Sequence, residues 1–339
     1  MFKRIANTIQ KEIEKADSIL LLPHKNPDPD ALGSLLSLFE HIQKMGKIVH
    51  VHSTSSVSQK YSFLPKFSQI KTTLEMHSPD LIITLDSGDA DRSGLSEILP
   101  ELKHKPLVIN IDHHKTNTFF GDINLVKPKA SSTCELLYYF FQENTIPLTQ
   151  SMATNLIAGI ITDTDNFTNS ATNYSCLSVA SSLIQKGAKH QEIIEKLYKD
   201  KSIGILKLWG DIFKRMQYHA ELDIVFTHIK YSDYKEYNIL EEDAEGFTNF
   251  LNNVNEGIAG FIFKEKEDGT IRIGLRTIKD SVDVSVIAKH FGGGGHKKAA
   301  GFSHPGPLEQ AQEEVFTLLK NNSLLVWKQE SLAKEDKNC

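Results

Sequence analysis

Cysteine is scarce in this chain of 339 residues: Cys134, Cys176 and Cys339 are odd in number, far apart, and form no CxxC pair. That excludes a disulfide framework and a thiolate zinc site. A basic surplus is missing too. Lys and Arg number 38 against 43 Asp and Glu, for a net charge of −5. Proteins that wrap long nucleic acid carry excess positive charge, so a nucleic-acid substrate here has to be short or gripped locally. The same balance argues against an anionic membrane surface as partner. Long apolar runs are absent. The opening segment MFKRIANTIQKEIEKADSILLLP has one short apolar run, Ile19 to Leu22, preceded by Glu12, Glu14 and Asp17; it does not read as a signal peptide. Two uncharged stretches, 144–162 and 166–185, are studded with Asn, Ser, Thr and Gln and do not read as membrane spans. No internal repeat is present. These absences predict a soluble, cytoplasmic protein with no membrane partner.

What is present is globular composition, 40% hydrophobic and 24% charged, long enough for about two domains at roughly 150 residues each. The first half alternates helix and strand. Residues 3–16 have amphipathic spacing, and Ser18 to Leu22 is a short buried strand. Leu32, Leu35, Leu36, Phe39 and Ile42 then recur at helical spacing up to Gly46. Ile48 to Val51, Leu81 to Leu85 and Leu107 to Ile111 read as further strands, followed by helices over 132–143, 150–162, 175–187 and 190–198. The fold class expected is α/β: a parallel sheet with helices on both faces. A connecting helix over 201–217 leads to a smaller α+β unit over 218–322, and 323–339 is a charged tail. In that second unit Leu222 to Ile229 is strand-like and 241–253 helical. Glu267-Asp268-Gly269 turns a hairpin between Phe261–Lys264 and Ile271–Leu275, and helices follow near 283–290 and 308–320.

The informative feature is where the acids fall. The first strand runs into His24-Lys25-Asn26-Pro27-Asp28-Pro29-Asp30, the strand 81–85 into Asp86, and the strand 107–111 into Asp112-His113-His114. Carboxyl ends of parallel strands share one rim, where sites form. Gly159 to Asp163 can add a fourth acid from a helix end. Each Asp taken alone is also a good cap or turn former, and Asp30 before Ala31-Leu32-Gly33 would make an N-cap. Taken together they repel one another unless cations neutralise them. Asp28, Asp30, Asp86 and Asp163 carry four negative charges, which two divalent ions cancel. With His24 and His113 the donors mix oxygen and nitrogen, which favours Mn²⁺ over pure Mg²⁺ and admits Zn²⁺, Co²⁺ or Fe²⁺.

These segments, in this order, resemble the four motifs of the DHH phosphoesterase superfamily. The run Gly292 to His296, followed by Lys297-Lys298-Ala299-Ala300-Gly301, resembles the glycine-rich motif of its DHH-associated domain. The likeness spans nearly the whole chain. Within the superfamily it is most similar to the bacterial oligoribonuclease (nanoRNase)/pAp-phosphatase group. The resemblance implies a DHH catalytic domain over 1–200 and a substrate-binding domain over 218–322. It implies one ion held by His24, Asp28 and Asp86, a second held by Asp30, Asp86, His113 and Asp163, and catalysis resting on Asp86, Asp112, His113 and His114. His114 would face the substrate phosphate, and Asp112 would orient the histidines. Arg276 and the Gly293, Gly294, Gly295 and His296 segment would bind substrate.

The implied activity is two-metal hydrolysis of oligoribonucleotides of two to five nucleotides to mononucleotides, by attack of an activated water, and of pAp to AMP. A stand-alone phosphodiesterase for cyclic or linear dinucleotides is the nearest alternative, and a non-catalytic metal-dependent nucleotide-binding protein the next. The partners expected are short RNA, pAp or dinucleotides, with a homodimer left open. Ser87 and Ser131-Ser132-Thr133 either offer hydroxyls and amides to a phosphate or simply cap a helix. Phe291, Trp209 and Trp327 are expected to pack in the core.

Overall fold

The computed structural model describes residues 1–198, 202–241 and 246–321, so Trp327, Cys339 and the charged tail lie outside the described residues. The chain divides into two compact units, Met1–Asp200 and Lys201–Cys339.

In the first unit the elements run α1 (Phe2–Lys15), β1 (Ser18–Pro23), α2 (Pro29–Lys44), β2 (Ile48–His52), β3 (Ile70–Lys71), β4 (Leu81–Leu85), α3 (Leu95–Ile98), β5 (Leu107–Asp112), β6 (Ile123–Val126), α4 (Thr133–Glu143), α5 (Gln150–Asp163), α6 (Tyr174–Gln185) and α7 (His190–Tyr198). The strands form one sheet in the order β3-β2-β1-β4-β5-β6, with every pair parallel. The chain therefore builds outward from β1 to β3, returns to β4 beside β1, and builds the other way. The reversal places a topological switch point between β1 and β4, and crevices open at the carboxyl ends of strands at such points.

Side chains alternate across this sheet, as the twofold period of a strand requires. Ile19, Leu21, Ile83, Ile109 and Ile111 join the large core beneath the long helices. Leu20, Leu22, Ile82 and Val108 face the other way, into a smaller core closed by Leu95 and Ile98 of α3 and by Met76. Helix α2 is buried along its length from Pro29 to Ile42, as expected for a helix wedged between sheet and helices. It packs chiefly on α5. The contact is close because Gly33 has no side chain: a Cβ there would lie 2.2 Å from the Asn155 carbonyl oxygen.

The second unit runs α8 (Ile203–Lys214), β7 (Gln217–His219), β8 (Ile224–Ile229), α9 (Tyr231–Glu236), α10 (Phe247–Phe250), β9 (Ala259–Glu265), β10 (Ile271–Arg276), α11 (Val284–His290), β11 (Gly294–His296), β12 (Ala299–His304) and α12 (Leu308–Lys320). Its sheet order is β11-β12-β10-β9-β8-β7, antiparallel except for β8 with β9. One face carries Val284, Ile287, Ala311 and Val315 of α11 and α12. The other carries Leu208 and Ile212 of α8 with Phe247 and Leu251.

Two expectations need correction. The helix expected over 241–253 is short: within the described residues only Phe247–Phe250 is α-helical, followed by a tight 3₁₀ turn over Leu251–Asn253. The glycine-rich turn is in part a strand, since Gly294 to His296 pairs with β12. Phe291 stacks on Phe302, centroids 4.5 Å apart, and Trp209 packs edge-on against Phe247. Both are core contacts. No helix among the described residues is long and apolar enough to cross a membrane.

Gly33→Ala tests the α2–α5 contact. The added methyl collides with backbone and cannot be relieved by a rotamer change, so about 1–3 kcal/mol of stability should be lost. Urea unfolding checks this; an unchanged midpoint would show that the helices do not approach so closely.

Candidate metal centre at the switch point

Strand register places the first three groups. Pro23 pairs with Leu85, and Leu85 with Ile111, so the next residue on each strand, His24, Asp86 and Asp112, falls in one row across the rim. The Asp86 amide still donates to the Ile111 carbonyl at 3.0 Å. Asp86 then turns left-handed, φ +59°, a conformation Asp tolerates better than most residues. After β1 the chain enters α2, and here the sequence reading is corrected. Asp28, not Asp30, is the N-cap: its Oδ1 accepts from the amides of Asp30 and Ala31 at 2.9 and 3.1 Å. Asp30 sits one step inside the helix, fully buried.

What holds Asp30 is a part of the chain a hundred residues away. The Thr133 amide donates to its Oδ2 at 2.7 Å and the Cys134 amide to its Oδ1 at 2.9 Å, so Asp30 sits on the N-terminus of α4, where a carboxylate is favoured. A Cβ at Gly159 would lie 2.6 Å from Asp30 Oδ1, so α5 passes this point only as glycine. One helical turn later the same helix ends on Asp163.

The structure gathers the predicted ligands into overlapping groups. His24, Asp28 and Asp86 form one; Asp30, His113 and Asp163 form another; Asp86 also groups with His113 and His114. Asp86 faces both sides: Oδ2 lies 3.6 Å from His24 Nε2, and Oδ1 3.5 Å from His113 Nε2. His113 Nε2 is also 3.1 Å from Asp163 Oδ2 and 3.9 Å from Asp30 Oδ2. Both rings are turned the way a ligand needs. His24 Nδ1 contacts the Lys25 carbonyl at 2.8 Å and His113 Nδ1 the Ala130 carbonyl at 3.4 Å. A carbonyl only accepts, so Nδ1 carries the proton, and in the neutral ring Nε2 offers its lone pair to the acids.

Electrostatics point the same way. Among the described residues no Lys or Arg is ion-paired with Asp28, Asp30, Asp86 or Asp163. Burial first, and then the charges of Asp30 and Asp28, push the Asp86 carboxyl up to about 7. Burial and the same neighbours push Asp163 well above the usual carboxylate range. Burial lowers the pKa of His24, but its bond to Asp28 and the charge of Asp86 outweigh that and raise it to about 8. Proximity of the acids thus favours the uptake of positive charge by the cluster. That is the donor set and charge deficit a pair of divalent ions would fit.

Around it lies a polar layer. Asp112 Oδ1 accepts from His114 Nδ1 at 2.7 Å, and Asp112 Oδ2 accepts from Asn117 Nδ2 at 2.6 Å. Burial opposes ionisation of Asp112, yet the His114 bond holds its pKa below the ordinary value. Asn117 also reaches Asn110 and the Ser87 carbonyl. The Ser87 hydroxyl is buried and turned back toward the Leu85 carbonyl, so it offers nothing to a phosphate. Ser132 caps α4 through the Glu135 amide, and Ser131 donates its own amide to the Glu135 carboxylate. The amides of Thr133 and Cys134 are engaged by Asp30, not open to a phosphate. Asn117 was not expected at the site, and Thr133 was expected to cap a helix or meet a phosphate, not to bind Asp30 and Asp86, which lie on other segments.

In the second unit, strand register brings two more predicted residues together. His296 pairs with Ala299, Ala299 with Arg276, and Arg276 with Gly260, so Arg276 and His296 share one row with only small residues between and beside them. Gly293 and Gly295 lie against β12, where Cβ atoms would come within 2.3 Å of the Gly301 carbonyl oxygen and 2.5 Å of Ala300 Cα. A Cβ at Gly294 would meet nothing within 4 Å.

Residues 18–160 match the DHH family, N-terminal domain, and residues 232–321 match the DHHA1 domain. The chain thus carries a DHH domain and a DHHA1 domain. It is an enzyme of the DHH phosphoesterase type. A bifunctional oligoribonuclease and PAP phosphatase, NrnA, of Thermus thermophilus is 28% identical over 319 residues, 94% of this chain and 93% of that one. The cyclic-di-AMP phosphodiesterase GdpP of Geobacillus thermodenitrificans is 27% identical over 86% of this chain but 45% of its own length. A solved exopolyphosphatase-related protein from Bacteroides fragilis superposes with a TM-score of 0.86 at 25% identity, covering 95% of this chain and 97% of that one.

The raised Asp86 pKa gives a signed prediction for the metal-free DHH unit. A carboxyl raised from 3.8 to about 7 adds stability below the unfolded value, and that stability is lost as pH rises through about 7. Asp86→Asn keeps the shape without the charge. In EDTA the variant should come nearest to wild type at about pH 4, gain on it progressively as pH rises and melt clearly higher at pH 8, each kcal/mol being worth about 2–4 °C in a domain of this size. A melting difference independent of pH would contradict the proposed crowding.

Proposed function

We propose that this DHH enzyme hydrolyses short oligoribonucleotides of two to five nucleotides to mononucleotides, and pAp to AMP, with two divalent ions, Mn²⁺ first among them, in the cytoplasm. The observation that carries the reading is Asp86, whose two oxygens face separate histidine-containing groups. His24 and Asp28 would complete one ion's ligands, and Asp30, His113 and Asp163 the other's. When bound, such a pair supplies a nucleophilic water near neutral pH and screens the charge of the phosphoryl oxygens.

The protein's own groups do the rest. His24 and His113 keep their Nε2 lone pairs inward by anchoring Nδ1 on backbone. His114 is held by Asp112. Burial lowers its pKa, but the Asp112 bond and the charge of Asp86 outweigh that and raise it, and we assign the ring as a donor to an anionic phosphate. Arg276 is partly buried, and a guanidinium removed from water binds phosphate more strongly. We assign it, with His296 and the Gly293 to Gly295 backbone, to substrate binding. The length preference rests on the lack of a basic surplus and on the likeness to the Thermus thermophilus oligoribonuclease over nearly the full length of both chains.

Likeness to a cyclic-di-AMP phosphodiesterase favours one rival, a dinucleotide phosphodiesterase. A panel with Mn²⁺ separates the two: pApA, an RNA pentamer, a 24-mer, pAp, cyclic di-AMP and pyrophosphate. The pentamer, pApA and pAp should be the best substrates. Preference for cyclic di-AMP would install the rival, and preference for the 24-mer would overturn both.

Two variants test the binding assignment. Arg276→Ala and His296→Ala should lower kcat/KM for pApA by about 10- to 150-fold, the effect of removing one charged hydrogen bond. They should spare bis-p-nitrophenyl phosphate, which has no second nucleotide to bind. Normal cleavage of pApA by both variants would remove these residues from the site.

A further inference from the structure

Thr133 lies outside every motif that the acids and histidines define, yet it touches two of the four acidic groups. Its hydroxyl donates to Asp86 Oδ1 at 2.9 Å, and its amide donates to Asp30 Oδ2 at 2.7 Å. All three residues are buried, Thr133 and Asp30 at 0% exposure and Asp86 at 2%. The hydroxyl's target is the oxygen of Asp86 that faces His113 and His114, while the other oxygen faces His24.

A carboxylate on a single Cβ rotates about χ2 over a broad well. Without a fixed donor, Asp86 can present either oxygen, or one edge, to either group. The Thr133 hydroxyl removes that freedom. It holds Oδ1 on the His113 side by one lone pair and leaves Oδ2 directed at His24.

The donor is itself rigid. Thr133 is the first residue of α4, an eleven-residue helix capped by Ser132. Glu135 accepts from the Ser131 amide at 2.6 Å and from the Ser175 hydroxyl of α6 at 2.5 Å, and Ser175 meets the Tyr139 hydroxyl. The end of the helix is thus tied to its neighbour, and Thr133 cannot follow Asp86 if the carboxylate turns.

We infer that Thr133 is a positioning residue for the metal pair: one side chain and one amide fix the two carboxylates Asp86 and Asp30 in the orientation that lets Asp86 serve both groups. Its action is on ion affinity, through Asp86, and not on substrate. The inference rests on the dinuclear reading and deepens it.

The test is Mn²⁺ titration calorimetry on the full chain, comparing wild type with Thr133→Val, which keeps shape and amide but lacks the hydroxyl, and Thr133→Ser, which keeps the hydroxyl. The Val variant should bind Mn²⁺ about 10- to 100-fold more weakly, the usual effect of losing a group that orients a ligand. The Ser variant should bind nearly as wild type does. Turnover of pApA by the Val variant should recover toward wild type as Mn²⁺ is raised to saturation, with KM for pApA unchanged.

Circular dichroism of the metal-free proteins checks the fold. If Val is not tolerated, Thr133→Ala against Thr133→Ser carries the same comparison. Wild-type affinity in the Val variant, or equal weakening in Val and Ser, overturns the inference. Fewer than two ions on wild type overturns the dinuclear reading instead, and the ratio between variants still decides the role of Thr133.

Discussion

Mutual repulsion among clustered carboxylates, Asp30 and Asp86 buried outright and Asp28 and Asp163 partly so, is the constraint on which this structure turns. Asp28, Asp30, Asp86 and Asp163 converge where the sheet reverses direction, and among the described residues no ammonium or guanidinium is ion-paired with them. A fold does not hold such a set together by packing alone. Burying a lone carboxylate costs several kcal/mol, and each further one costs more. Protons relieve the crowding when nothing else is present, which is why Asp86 is pushed up to about 7. Divalent cations relieve it better, and the histidines that flank the acids turn their lone pairs toward the same space.

The rest of the first unit serves to keep those groups in place. The parallel sheet sets His24, Asp86 and Asp112 side by side by register. Two helix ends contribute in opposite ways: α5 carries Asp163 at its C-terminus, and α4 offers its N-terminal amides to Asp30. The two glycines at the helix contacts, Gly33 and Gly159, allow the close approaches on which both placements depend. Outside the acids, Asp112 links His114 to Asn117, so the rings are fixed by a network and not by single bonds. The second unit applies the same economy of small residues to a different end. Ala299 and Gly260 are the residues paired with Arg276 in the row that leads to His296 on the β-sheet.

Much of this was legible in the residues because strand-end chemistry is local. A buried apolar run followed by Asp or His announces a rim residue, and three such runs in order, with the helix end at Asp163 and the glycine-rich run at Gly292, carried the α/β fold, the ligand candidates and the resemblance. What could not be read depends on contacts between distant segments. Asp30 looked like an N-cap, yet Asp28 fills that role and Asp30 turns to α4, 103 residues on. Thr133 looked like a helix start or a phosphate contact and not a partner of Asp86, which is 47 residues away. Ser87 looked available to a phosphate, but its hydroxyl points back along its own strand. The short strands β3 and β6 have too few residues to show a period, and the strand in the glycine run is made by pairing with β12, not by propensity.

The central claim is that Asp86 joins two metal ions into one centre. Low-temperature electron paramagnetic resonance of the Mn²⁺-loaded enzyme, with metal content measured on the same sample, tests it most directly. Two ions bridged by one carboxylate lie close enough for their spins to couple, so the account predicts two Mn²⁺ per chain and an exchange-coupled spectrum that Asp86→Ala abolishes. One Mn²⁺ per chain at saturation, with the hyperfine pattern of an isolated ion, would contradict it.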